Sequence, residues 1–167
     1  NRVYDRCKGR VIYPVFSLSG KIIAFGGRTL KKDVAKYVNS PESVIYVKSN
    51  ELYGIYQSKS AISKLNKCIL VEGYMDVISM HQSGVENVVA SSGTSLTEGQ
   101  IRLIHRFAEN VTVIYDGDAA GIKASLRGID MLLAEGLNIK VLLLPDGHDP
   151  DSFAQSRSAS ELEAYIN

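Results

Sequence analysis

Four short, almost wholly apolar runs, KCILVE, VENVVAS, NVTVIYD and NIKVLLLP, recur from Lys67 onward, each separated from the next by a stretch of helical period. Apolar strands alternating with helices point to a parallel sheet covered on both faces, since parallel neighbours must be joined by crossovers. YMDVISMHQSG sets Met75, Val77 and Ile78 on one helical face and ends at Gly84, suited to a left-handed C-terminal cap. Thr97 is a candidate N-cap for EGQIRLIHRFAEN, in which Ile101, Ile104 and Phe107 recur at helical spacing. AAGIKASLRGIDMLLAEG predicts a third helix closing at Gly136, and Pro145 stops the fourth strand. The tail SASELEAYIN reads as a short helix capped by Ser160.

Residues before Lys67 have a different character. RVIYPVF and KIIAFGGRTL are β-prone runs joined by SLSG, a hairpin-like connection. AKYVNSPESVIYVKSNELYGIY mixes lysine, tyrosine and asparagine around a Ser-Pro turn and reads as a surface. The expected fold is therefore α/β: a parallel sheet flanked by helices, preceded by a small basic mixed β-rich subdomain, with residues 1–66 and 67–167 as the two units.

The charges follow the same division. Residues 1–67 carry 13 Lys and Arg against 4 Asp and Glu, and residues 68–167 carry 6 against 14, so the net charge of +1 conceals halves of +9 and −8. A basic surface suits a polyanion, and an acidic centre suits cations. No apolar run approaches the roughly 18 to 20 residues of a membrane span, and NRVYDRCKGR lacks a signal peptide's apolar stretch, so a cytoplasmic location with no membrane partner is expected. Cys7 and Cys68 lie far apart and suggest neither a zinc site nor a disulfide framework. The chain starts without methionine and reads as a piece of something longer.

The acids concentrate where strands end. Glu72 follows the first apolar run, Asp116 and Asp118 the third in VIYDGDAAG, and Asp146, Asp149 and Asp151 the fourth in LLLPDGHDPD. In an open parallel sheet the carboxyl ends share one edge, outside which ligands bind. Two carboxylates about 5 Å apart repel by about 3 kcal/mol at an effective dielectric of about 20, and a divalent cation reverses that sign. Mg²⁺, which takes a few carboxylate oxygens together with waters and substrate phosphates, fits such a sparse set. The glycine between Asp116 and Asp118 permits a tight turn in which both carboxylates can face one ion or bridge two. Asp146 is the weakest member, because PDG is also an ordinary turn. His81, His105 and His148 are isolated and carry no assigned role. In the basic half, Arg28, Lys36, Tyr37, Asn39 and Lys48 combine phosphate-pairing charge with an aromatic ring on which a base can stack.

In order, VEGYMDV, ASSGTSL, VIYDGDAAG and LPDGHDPD resemble the Toprim domain, while GRVIYPVFSLSGKIIAFGGR, KYVNSPES and LYG resemble the region preceding it in bacterial DNA primases of the DnaG type. The resemblance implies a Toprim-like sheet in an RNA polymerase domain that copies single-stranded DNA into short RNA primers from ribonucleoside triphosphates. It implies Glu72 as metal ligand and catalytic acid or base, Asp116 and Asp118 as the principal metal-binding and catalytic aspartates, and Asp149 and Asp151 as a further or shared metal position. Asp76 matches the acid four residues after the glutamate, and the residues alone leave open whether it touches metal or braces the loop. Arg28, Lys36, Tyr37, Asn39 and Lys48 match nucleotide- and DNA-contact positions. The implied cofactor is Mg²⁺, with Mn²⁺ able to substitute. The implied partners are the template, the triphosphates, the RNA primer and, through a region outside these residues, the replicative helicase; the fragment itself is expected to be monomeric. The implied reaction is two-metal nucleotidyl transfer. Its rivals are Toprim DNA cleavage of the topoisomerase or nuclease kind, a phosphoaspartate receiver and a non-catalytic nucleic-acid-binding module.

Overall fold

The computed structural model describes residues 5–31, 35–93, 95–115, 128–145 and 147–167. Two sheets are present among them. Strands β1 (Arg10–Phe16) and β2 (Ile22–Thr29) form the expected antiparallel hairpin, and β3 (Tyr37–Asn39) pairs antiparallel with β2, placing Gly26 opposite Asn39 and Arg28 opposite Tyr37. Gly20, at φ +83°, closes the hairpin turn in the left-handed region that glycine adopts without steric cost.

The second sheet is wholly parallel. It contains β4 (Lys67–Val71), β5 (Val88–Ala90), β6 (Asn110–Tyr115) and β7 (Asn138–Leu143), in the spatial order β5-β4-β6-β7. Successive residues of a strand serve opposite faces, as the pleat requires. Cys68 and Leu70 pack in one cluster with Ile55, Ile62, Ile101, Ile104 and Leu132, while Ile69 and Val71 pack in another with Val77, Met80, Phe153, Leu162 and Ile166. Helices α1 (Ile55–Leu65) and α3 (Glu98–His105) and the helical residues 128–134 (α4) therefore cover the first face. Helices α2 (Tyr74–Gln82), α5 (Pro150–Gln155) and α6 (Ala159–Ile166) cover the second.

The predicted helix signals hold at Thr97, whose side chain accepts from the Gln100 N–H, and at Gly84 and Gly136, both at positive φ. The last helix is capped two residues earlier than expected. Ser158, not Ser160, accepts from the Glu161 N–H, and the Glu161 carboxylate returns to the Ser158 N–H at 2.9 Å, a reciprocal pairing that fixes the start of the helix at Ala159. The stretch read as a surface also differs: Tyr46, Leu52 and Ile55 are buried, and α1 begins inside it. No helix among the described residues is long and apolar enough to cross a membrane.

Strand β7 lies at the edge of the parallel sheet, with Val141 and Leu143 exposed. The last helix ties itself to that strand: the Tyr165 hydroxyl donates to the Leu143 carbonyl at 3.0 Å, and Lys140 Nζ donates to the Ile166 carbonyl at 3.1 Å.

Candidate active site

The parallel register puts the carboxyl ends of β4, β6 and β7 on one edge, and three predicted acids follow from it directly. Glu72 is the residue after β4 and is exposed. Its charge contributes to raising the phenol of Tyr115, the last residue of β6, although burial is the larger cause. The ends of β4 and β6 are thus electrostatic neighbours. Asp149 caps α5 by accepting from the Ser152 N–H at 2.8 Å. A hydrogen bond with the Ser152 side chain, followed by backbone N–H bonds and the positive charge of Lys36, outweighs burial and holds the Asp149 carboxyl below its ordinary range. Asp116 and Asp118, with Asp146, lie outside the described residues.

Asp151 and Asp76 form a brace across this edge. Asp151 accepts from Ser79 and, at 2.6 Å, from Gln155 Nε2. Asp76, in the first turn of α2, accepts from the Gly73 N–H through Oδ2 at 2.8 Å and from the Asp151 N–H through Oδ1 at 3.2 Å. Each oxygen of Asp76 therefore holds a different acid-bearing loop, one beside Glu72 and the other containing Asp149 and Asp151. Its match to the acid four residues after the glutamate in the resembled motif is the available signal. Ser79 and Gln155 give no local signal of their role, because their partner lies more than seventy residues away in one case and reads as a helix surface pair in the other.

The basic residues meet this edge from the antiparallel sheet. Arg28 and Lys36 approach the Tyr37 ring at 5.9 and 5.8 Å from its centroid. Burial raises the Tyr37 phenol, Arg28 opposes that shift, and the negative charges of Asp76 and Asp151 add to it. Asn39 accepts from the Tyr74 hydroxyl at 2.8 Å and donates to the Ser92 carbonyl at 3.3 Å. Four of the five predicted nucleotide-contact residues, Arg28, Lys36, Tyr37 and Asn39, are brought together on β2, β3 and the residue before β3. Lys48 is held separately, at the start of the 3-10 turn Lys48–Asn50, where buried Gln100 donates to the Lys48 and Glu51 carbonyls at 3.1 and 2.9 Å.

A tyrosine cluster joins the two sheets behind this ridge. Tyr74 stacks on Tyr13 with centroids 5.0 Å apart and 2° between planes, and meets the edge of Tyr53 at 4.6 Å and 89°. The Gly26 backbone lies directly beneath it: a Cβ there would fall 2.5 Å from Tyr74 Cζ. This close approach accounts for the glycine in FGG. Because the Tyr74 ring is clamped on two other sides, Gly26→Ala is expected to destabilise the fold by about 1–3 kcal/mol, read as a lowered urea midpoint with an unchanged slope.

Among the described residues no group of three or more His, Cys, Asp and Glu is close enough to hold a metal ion, two of the five predicted ligands lying outside them. The donors that are described fit a hard cation in kind. Glu72, Asp149 and Asp151 offer carboxylate oxygens at one sheet edge, with no thiol or imidazole among the predicted ligands.

A family model described as Toprim-like matches residues 69–154. The chain belongs to the Toprim-like family. A second model, DNA primase catalytic core, N-terminal domain, matches residues 1–59. This Toprim-like chain is 52% identical to the DNA primase of Halalkalibacterium halodurans over 98% of its own length and 27% of that protein's, and 51% identical to that of Clostridium acetobutylicum over 92% and 26%. Its fold matches the Aquifex aeolicus primase structure containing zinc-binding and RNA polymerase domains, with a TM-score of 0.93 and 39% identity over 98% of this chain and 41% of that one. A DnaG primase catalytic domain bound to single-stranded DNA matches with a TM-score of 0.91 and 40% identity over 99% of this chain and 54% of that one. The chain thus spans about a quarter of the length of these curated relatives. Family membership is consistent with use of a divalent metal.

Proposed function

We propose that this chain forms the catalytic centre of a DNA primase, a DNA-directed RNA polymerase that joins ribonucleoside triphosphates into short RNA primers on single-stranded DNA by two-metal nucleotidyl transfer. The observation that carries the reading is geometric: Asn39, beside the Tyr37 ring that Arg28 and Lys36 flank, is held by the Tyr74 hydroxyl at 2.8 Å and by the Ser92 carbonyl at 3.3 Å, and the Ser92 N–H donates to the Glu72 carbonyl, so the basic ridge is docked against the acidic edge. An acidic edge alone repels nucleic acid and triphosphate alike. A basic ridge set against it holds both polyanions where metal-binding carboxylates can reach them.

Glu72, Asp116, Asp118, Asp149 and Asp151 are the residues that would hold Mg²⁺, or Mn²⁺ in its place. The bound ions would supply a lowered pKa at the primer 3′-hydroxyl and neutralisation of charge on the departing pyrophosphate. Arg28, Lys36 and Lys48 pair with phosphates, Tyr37 offers a stacking face, and Asn39 offers its amide to the nucleotide. Glu72 holds or accepts a proton at the reacting edge. The template, the triphosphates and the growing primer are the proposed partners, with the replicative helicase engaged through a region outside these residues. Residues 1–66 are assigned to nucleic-acid and nucleotide binding and residues 67–167 to metal-dependent catalysis.

Mn²⁺ titration followed by electron paramagnetic resonance tests this reading. Binding is expected to tighten with a ribonucleoside triphosphate and to be lost in Asp116→Asn/Asp118→Asn. Metal binding indifferent to triphosphate, accompanied by DNA nicking in its absence, would replace the polymerase by a cleaving enzyme.

A further inference from the structure

The carboxylate edge and the nucleotide ridge belong to different sheets, and one side chain reaches between them. Tyr74 is the first residue of α2, two positions after Glu72, and is 3% exposed. Its ring cannot swing, being stacked on Tyr13, abutted by Tyr53 and backed by Gly26.

Its hydroxyl donates to Asn39 Oδ1 at 2.8 Å, and the direction of that bond follows from the next one. Asn39 Nδ2 lies 3.3 Å from the Ser92 carbonyl oxygen, a group that can only accept. The amide must turn its nitrogen to Ser92 and its oxygen to Tyr74, so the phenol is the donor. Both anchors of Asn39 are themselves tied to Glu72: Tyr74 by two residues of chain, and Ser92 by its N–H, which donates to the Glu72 carbonyl at 3.1 Å. Tyr74 also lies against Tyr37, with centroids 6.2 Å apart.

We propose that Tyr74 is a positioning residue for the nucleotide ridge, its hydroxyl setting the Asn39 amide toward the ribonucleoside triphosphate and fixing the ridge relative to Glu72. The inference rests on the nucleotide-binding role of Asn39 proposed above. A tyrosine serving only the core would also satisfy its hydroxyl, but loss of that bond would leave the affinity for nucleotide untouched.

Tyr74→Phe keeps the ring and removes the bond. In the full-length protein, with GTP as the probe, KM is expected to rise by about three- to tenfold, corresponding to one lost hydrogen bond, while kcat stays within about twofold. In an Asn39→Ala background the same change is expected to alter KM by less than about 1.5-fold, since the group it orients is gone. An undiminished effect in that background, or a lowered kcat and melting temperature at constant KM, would reduce Tyr74 to a structural residue. If Asn39→Ala raises KM and Tyr74→Phe does not, the positioning role falls and the ridge stands. If Asn39→Ala has no effect, both fall together.

Discussion

Replacing Glu72 with glutamine is expected to lower primer synthesis by about 10²- to 10⁴-fold, the range a positioned proton-transferring group contributes. The residue is exposed at the end of β4, so an isosteric amide removes charge from the reacting edge without opening the core. Incorporation of labelled ribonucleotides on a single-stranded template, with far-ultraviolet circular dichroism on the same sample, separates lost chemistry from lost fold. A folded Glu72→Gln variant that keeps more than a tenth of its activity would remove Glu72 from the catalytic set.

Asp76→Asn is expected to lower activity by about 10- to 100-fold, the scale on which groups supporting metal ligands act. The two oxygens of Asp76 receive the Gly73 and Asp151 N–H groups. An amide can present an oxygen to only one of them and turns a donor toward the other, so one acid-bearing loop is released whichever way it is oriented. The signature is a higher metal concentration for half-maximal activity, with partial recovery at saturating Mn²⁺. A loss of the same size at all metal concentrations would instead place Asp76 in the chemistry itself.

Much of the fold was legible because its signals are local. Each strand of the parallel sheet is a mostly apolar run, and the positions of Thr97, Gly84 and Gly136 follow from capping chemistry acting over a few residues. Helix α1 escaped the same reading. It begins after Gly54 at φ +85° with no side-chain cap, and IYQSKSAISKL buries only Ile55, Ser58 and Ile62, a thin stripe in a polar sequence. Ser58 belongs inside because its hydroxyl donates to the Val88 carbonyl at 2.7 Å, a partner thirty residues away.

The candidate site divides along the same line. Glu72, Asp149 and Asp151 were legible through their positions after strands, since parallel topology alone carries them to one edge. Of the residues that hold them in place, Asp76 was marked by its match to the resembled motif, but the partners were not legible. Asp76 and Asp151 meet across 75 positions, and Asn39 and Tyr74 across 35, and nothing in either segment names the other. Tyr74 opens a helix with an apolar side, so its ring reads as core, which it is, while its hydroxyl's destination depends on the docking of the antiparallel sheet.

The hydrogen bonds at β7 bear on how the protein behaves when concentrated. An exposed edge strand carrying Val141 and Leu143 is a template onto which a strand from another molecule can zip. Here the Leu143 carbonyl is already taken by a phenol, and Lys140 is held by the end of α6, leaving a cation beside the apolar edge. Growth of an intermolecular sheet through the Leu143 carbonyl has to break the bond that α6 makes to it, so fraying of α6, rather than unfolding of the core, is the step that frees this acceptor.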